Sequence, residues 1–265
     1  MGCTVSVTQL VTVNALSTAA AITGTASVCA GSTTQLADVT AGVVWSSGDN
    51  TKATVDAAGL VTGIAAGAVT ISYTVTNGTG CVTAVTQDIT VSTSPVLSVN
   101  PATQTICSGN SASVAVTGDN GAAVTWTSNY FGLTGSGIGF TTGVLTNSGT
   151  VPYTLTLTGN ALLGTCSDKI SAAVTVNPAP RVMSAPQSVT VCSYETLHIA
   201  LTAILSGTTI NWTIVDGSNA TVASGSGINN VTITNKLSSG AYTLKVTGTK
   251  DGCTSQELSV PIVVN

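Results

Sequence analysis

Four segments of this chain end alike, and its cysteines keep register with those endings. Val-Thr-Val-Asn at 11–14, Ile-Thr-Val-Ser at 89–92, Val-Thr-Val-Asn at 174–177 and Ile-Val-Val-Asn at 262–265 are versions of one motif. A cysteine follows each of the first three at one fixed distance: Cys29 after Asn14, Cys107 after Ser92 and Cys192 after Asn177. A second cysteine precedes each ending. Cys3, Cys81 and Cys166 do so at one shared distance, and Cys253 lies a single position further back. A register held over such long periods means tandem copies of one module, and it has to be recognised before any local motif is weighed. The chain is therefore expected to fold as several small units, not around one large core.

Between the endings, apolar residues alternate with Thr or Ser at period two, the pattern of half-buried strands. Val69, Ile71, Tyr73 and Val75 are set to face one way and Thr70, Ser72 and Thr74 the other. Tyr153, Leu155 and Leu157 repeat the pattern in the second copy, and Tyr242, Leu244 and Val246 in the third. Turn signals separate the strands: Gly48-Asp49-Asn50, Asn77-Gly78, Gly118-Asp119-Asn120-Gly121, Asp216-Gly217 and Asp251-Gly252. Each copy also has one tryptophan, Trp45, Trp126 or Trp212, at a comparable distance after its first cysteine. The order Cys, Trp, Tyr, Cys is that of an immunoglobulin sandwich. The expected fold class is all-β: tandem immunoglobulin-like β-sandwich domains in a rod. Trp45, Trp126, Trp212, Tyr73, Tyr153 and Tyr242 are the expected core aromatics.

The expected boundaries are 15–92, 93–177 and 178–265. Residues 1–14 are read as the last strand of a preceding, mostly absent module, because Cys3–Asn14 matches Cys81–Ser92, Cys166–Asn177 and Cys253–Asn265. The start Met1-Gly2-Cys3 has no basic stretch before an apolar one, so it does not read as a signal peptide. The joints are placed at 15–21, 93–102 and 178–186, and the latter two carry Pro95, Pro101, Pro178, Pro180 and Pro186. Proline keeps such joints extended. Three modules in line would span about 100–130 Å at roughly 3.3 Å per strand residue.

The seven cysteines and the single histidine argue for disulfides over zinc, since no Cys-x-x-Cys pair is present. That in turn argues for an oxidising compartment. Pairing within each module, Cys29–Cys81, Cys107–Cys166 and Cys192–Cys253, is favoured because each copy then becomes self-contained, with Cys3 left over. A rival pairing joins 3–29, 81–107 and 166–192 and leaves Cys253 alone; spacing does not separate the two.

Only 6% of residues are charged while 43% are hydrophobic, with net charge −4 and six Lys and Arg in all. The scattered cations give no patch for phosphates or anionic lipid, so no nucleic acid and no membrane insertion are expected. No window approaches the roughly 20 apolar residues of a transmembrane helix. His198, flanked by Leu197 and Ile199, is expected on the outer face of a strand, and one histidine with no nucleophile elbow gives no triad. The acids sit mostly at turns, where they stabilise tight bends. Gly135-Ser136-Gly137-Ile138-Gly139 and Gly225-Ser226-Gly227 are expected as loops, with no helix after them to cradle phosphate. Tyr130-Phe131 is expected as a packed strand or loop end, and is otherwise the best candidate for a ligand platform. No enzyme activity, cofactor or metal is expected.

Gly31–Val75 contains Trp45-Ser46-Ser47, Ala53-Thr54-Val55-Asp56, Gly59-Leu60-Val61-Thr62-Gly63, and Ala66-Gly67 with Ile71. This stretch resembles the bacterial Ig-like domain of group 2. The later modules share Ile106-Cys107-Ser108 with Val191-Cys192-Ser193, a Trp126 or Trp212 strand, and Gly164-Thr165-Cys166 with Asp251-Gly252-Cys253. They resemble the PKD-like and Ig-like repeats of giant surface adhesins in gliding and other Bacteroidota-type bacteria. The resemblance implies a non-catalytic, disulfide-stabilised stalk of a large adhesin, exported to the bacterial cell surface for adhesion or surface motility. Its partners would be neighbouring modules of the same chain, other copies of itself or surface glycans. A self-assembling filament or surface-layer subunit and a carbohydrate-binding module are the alternative expectations.

Overall fold

Period-two burial marks most long strands of the computed structural model, which describes residues 2–265, with a break at the bulge in Thr209–Asp216 where Ile214 and Val215 are both buried. In the strand Gly67–Thr76, Val69, Ile71, Tyr73 and Val75 are buried and Ala68 and Thr70 exposed. Leu155, Leu157 and Ala161 are buried in Tyr153–Leu163, and Leu244 and Val246 in Gly240–Lys250. Threonine holds the outer positions because its branched side chain favours extended backbone.

The strands assemble as tandem immunoglobulin-like β-sandwiches, and the described residues form no helix. In the first sandwich one sheet has the order Thr23–Gly24, Thr33–Ala37, Leu60–Gly63, Ala53–Val55. Its other sheet runs Ser27–Cys29, Val82–Ser92, Gly67–Thr76, Val44–Ser47. The second sandwich has Gly139–Leu145, Asn110–Thr117, Ser98–Asn100 in one sheet. Thr103–Cys107, Cys166–Asn177, Tyr153–Leu163, Ala123–Ser128 and Thr134–Ser136 form the other. The third repeats this with Val182–Ala185, Thr196–Ala203, Asn230–Lys236 facing Val189–Val191, Leu258–Val264, Gly240–Lys250, Thr209–Asp216, Thr221–Ile228.

In all three, the short strand that carries or precedes the first cysteine runs parallel to the end of the last strand, inside an otherwise antiparallel sheet. By compactness the chain divides into two units. One comprises residues 1–97, 118–124 and 160–169, and the other 98–117, 125–159 and 170–265. The first unit holds a core of Leu36, Val61, Ile71, Tyr73 and Ile89, with Trp45 half-buried at its margin and edge-on to Tyr73 at 5.3 Å. The second unit holds the core of Leu197, Ile199, Leu201, Ile210, Ile214, Leu244 and Ile262, with Trp212 and Tyr242 packed on its margin.

The glycine-rich runs correct the expectation of plain loops in part: Gly225-Ser226-Gly227 lies inside the strand Thr221–Ile228, while Gly135-Ser136 and Gly139 belong to the strands Thr134–Ser136 and Gly139–Leu145 and only Gly137-Ile138 form the bend between them. Each run pairs with a tryptophan-bearing strand, Gly135 opposite Trp126 and Gly225 opposite Trp212, and a ring lies close on each glycine backbone. A Cβ at Gly225 would sit 2.6 Å from Trp212 Cζ2, and one at Gly135 would sit 2.5 Å from Phe140 Cε2. Glycine inside a strand marks such close approach. Residues 2–14 are in no strand and are exposed; Met1 lies outside the described residues.

Candidate functional site: the cysteine joints

The three first cysteines occupy one place in the repeat. Cys29 is in register with Ser92, and Cys107 with Asn177, each at the end of a last strand. Val191 is in register with Val264, which puts Cys192 just beyond that strand. In every case the next backbone N–H donates to the carbonyl that ends the last strand. The distances are 2.9 Å for Ala30 to Ser92, 2.8 Å for Ser108 to Asn177 and 2.8 Å for Ser193 to Asn265.

The second cysteines occupy the other end. Cys81 immediately precedes Val82–Ser92, Cys166 opens Cys166–Asn177, and Cys253 follows the hairpin turn at Asp251-Gly252. A strand as long as Val82–Ser92 spans ~35 Å. A disulfide tolerates only about 4.4–6.8 Å between Cα atoms. The expected bonds Cys29–Cys81, Cys107–Cys166 and Cys192–Cys253 are therefore not formed, and neither is the rival set 3–29, 81–107 and 166–192.

The bonds are instead staggered. Cys29 bonds Cys166, with S–S 2.03 Å and Cα–Cα 5.7 Å, and Cys107 bonds Cys253, with S–S 2.07 Å and Cα–Cα 5.5 Å. Each joins the first cysteine of one sandwich to the second cysteine of the next. Cys3, Cys81 and Cys192 carry free thiols, so two of the six cysteines expected in bonds, Cys81 and Cys192, are unpaired. The sequence held a usable signal. In the first two copies the stretch from the second cysteine to the ending is one continuous strand, which separates the two cysteines of a copy.

Hydrogen bonds dress both joints. At the first, Ser94 Oγ donates to Ala30 O at 2.9 Å, Val96 N to Gly118 O at 3.1 Å, and Leu97 N to Asp168 Oδ2 at 3.1 Å. Gly118 has φ 79°, and a Cβ there would collide with Val96 O. Only glycine permits both this backbone and this approach. At the second, Ile204 N donates to Arg181 O at 3.0 Å and Asn177 Nδ2 to Asp251 O at 3.2 Å. Asn177 is buried. A cleft of about 460 Å³ beside this joint is lined by Ser108, Pro180, Arg181, Thr254 and Glu257.

Elsewhere the residues singled out from sequence hold the following places. Tyr73 is fully buried and donates to Ala20 O, and burial pushes its phenol pKa up. Trp126 is buried, donates from Nε1 to Gly137 O at 2.9 Å and stacks on Phe140 at 5.8 Å. Tyr153 is half-buried and stacks on Tyr130 at 5.3 Å, with Phe131 edge-on to both. Tyr130 and Phe131 are exposed, and Phe131 has φ 61°. His198 is exposed between buried Leu197 and Ile199.

Asp49 and Asp216 cap turns. The Thr51 hydroxyl and backbone N–H hold the Asp49 carboxyl below its usual pKa. The Ser218 hydroxyl, with the Ala220 and Ser218 backbone, does the same for Asp216. Among the described residues no cluster of three or more His, Cys, Asp or Glu is placed to hold a metal. The arrangement offers covalent bridging and apolar surface.

Three solved structures align with the chain at low identity. The titin I-band fragment I67–I69 aligns with 93% of this chain and 98% of its own at 13% identity and TM-score 0.42. Three N-terminal domains of the bacteriophage RB49 Hoc capsid protein align over 92% and 98% at 10% identity and TM-score 0.39. The N-terminal eight Ig domains of Down Syndrome Cell Adhesion Molecule align over 94% of this chain and 42% of that one, at 14% identity and TM-score 0.29. No curated protein matches the chain. Residues 6–86 match the family model of the bacterial Ig-like domain (group 2).

Proposed function

We infer that this chain is a non-catalytic repeat segment of a secreted bacterial surface protein, working as a covalently clamped stalk that transmits tension. One observation carries the reading: both disulfides cross from one sandwich to the next. A bond inside a sandwich protects that sandwich, whereas a bond across a joint resists separation of neighbours. Disulfides persist in oxidising, extracellular surroundings, which agrees with the bacterial Ig-like match at 6–86. In this reading the modules are 15–92, 93–177 and 178–265. The segment 2–14, in no strand here, has the sequence of a module's last strand and would take that place in the sandwich of a preceding module. The parent is a giant adhesin of the Bacteroidota type, serving adhesion or surface motility, with neighbouring modules as its first partners. Small-angle scattering on the whole chain tests this. An elongated particle is expected, and a compact globe of three mutually packed sandwiches overturns the stalk.

A specific observation favours glycan contact as a second role. Tyr130, Phe131 and Tyr153 form an aromatic cluster with two exposed rings. Ring faces of this kind stack on sugars. A glycan array without hits, or hits unchanged in Tyr130→Ala, removes that role.

A further inference from the structure

Within residues 15–265 the staggered pairing leaves two folded half-joints. Cys192 is a first-type cysteine, and Cys81 is a second-type cysteine. Their counterparts are already bonded: Cys29 and Cys107 stand where Cys192 stands, and Cys166 and Cys253 where Cys81 stands. We propose that Cys192 of one copy bonds Cys81 of a second copy, making a third joint of the same kind and linking copies head to tail.

Both half-joints are preformed. At Cys192 the Ser193 N–H already holds the Asn265 carbonyl, as Ser108 holds Asn177 beside the bonded Cys107. At Cys81 the hairpin is set, with Cys81 N donating to Asn77 Oδ1 at 2.9 Å. The chain leading into that sandwich is docked on the hairpin too. Asn77 Nδ2 donates to Ala15 O at 2.9 Å, Ser17 Oγ to Cys81 O at 3.1 Å and Thr83 Oγ1 to Ser17 O at 2.8 Å. At the bonded joint the leading chain is held by the opposite direction of bonding, Leu97 N donating to Asp168 Oδ2. What differs is cover. Cys166 and Cys253 are fully buried, whereas Cys81 is half-buried and Cys192 exposed. A second copy carries the complementary half-joint on the same scaffold, which a small thiol does not. Cys3 matches Cys81 in the repeat but sits on no hairpin, so it has no half-joint to offer.

The bond forms by thiol–disulfide exchange with a small-molecule disulfide as oxidant. The Cys192 thiolate attacks one sulfur of the oxidant, breaks its S–S bond and releases one thiol. The Cys81 thiolate of the second copy attacks the mixed disulfide at the Cys192 sulfur and releases the other. Two electrons pass to the oxidant, and both protons leave on the released thiols.

The inference rests on the joint geometry, not on the surface role proposed above, which scattering on the single chain tests separately. The probe is the full chain with Cys3→Ser, concentrated in oxidised and reduced glutathione. Non-reducing electrophoresis should show a ladder that reductant collapses, and digestion should yield a Cys81–Cys192 linked peptide. Adding Cys81→Ser or Cys192→Ser should abolish the ladder. Linked peptides Cys29–Cys166 and Cys107–Cys253 in every variant certify the fold. Links of Cys81 to Cys81 or Cys192 to Cys192 overturn the proposal. So do an intrachain Cys81–Cys192 bond and monomers with both thiols capped by glutathione.

Discussion

Cys29 and Cys81 stand at the two ends of the strand Val82–Ser92, so no rotamer brings their sulfurs together. Non-reducing digestion of the chain should therefore release linked peptides containing Cys29 with Cys166 and Cys107 with Cys253, and none containing Cys29 with Cys81. Gly225 makes a second residue-scale test. Its added Cβ would meet Trp212 at 2.6 Å, whereas Gly217 has open space around it. Gly225→Ala should cost about 1–3 kcal/mol by overpacking, and Gly217→Ala should stay within about 0.5 kcal/mol, both read by chemical denaturation. Asp49 and Asp216 set a pH dependence. Their carboxyls titrate below the ordinary 3.8 in the folded chain. The unfolded chain then binds more protons in that window, so stability is lost as pH falls through it. Thermal melts should be flat in this contribution above about pH 5 and decline below about pH 4. The Asp49→Asn, Asp216→Asn double variant should decline less steeply.

At the scale of the strand, the repeated ending explains both the sandwich and residues 2–14. Ile89, Val174 and Ile262 hold one position of that ending and are 0%, 0% and 1% exposed, while Val11 holds the same position and is 77% exposed. Val91, Val176 and Val264 are buried likewise, and Val13 is 89% exposed. The same side chain therefore stabilises only where a sandwich receives it. Val174→Ala should cost about 2 kcal/mol from lost burial and the cavity left behind. Val11→Ala should fall within about 0.5 kcal/mol. Equal losses at the two positions would show that residues 2–14 pack in solution. The alternation that marks these strands was legible because burial on one face of a pleat imposes period two. The strand character of Gly225-Ser226-Gly227 was not, because it depends on pairing with the strand Thr209–Asp216, whose Trp212 ring leaves room only for glycine at 225.

For the chain as a whole, the staggered bonds create a covalent short cut. Without them the only covalent path from Cys29 to Cys253 is the entire backbone between the two positions. With both bonds intact the shortest path crosses from Cys29 to Cys166, follows the backbone back to Cys107 and crosses again to Cys253. At about 3.4 Å per residue the limits of extension are ~760 Å without the bonds and ~200 Å with them. Force spectroscopy with pulling points at these two positions should find the shorter limit in oxidising buffer and the longer one after reduction. Equal limits in both buffers would rule out the bonds.

Much was legible in the residues alone. The all-β class, the inward and outward faces, and the places of Tyr73, Trp126 and His198 follow from local rules: strand period and side-chain polarity. Disulfide partners do not follow from local rules. Cys29 and Cys166 have a sequence separation of 137 and meet because a parallel strand carries one to the end of a sandwich while a hairpin carries the other to the start of the next. Spacing along the chain measures contour, whereas a disulfide answers to distance in space, and only the tertiary arrangement converts the first into the second.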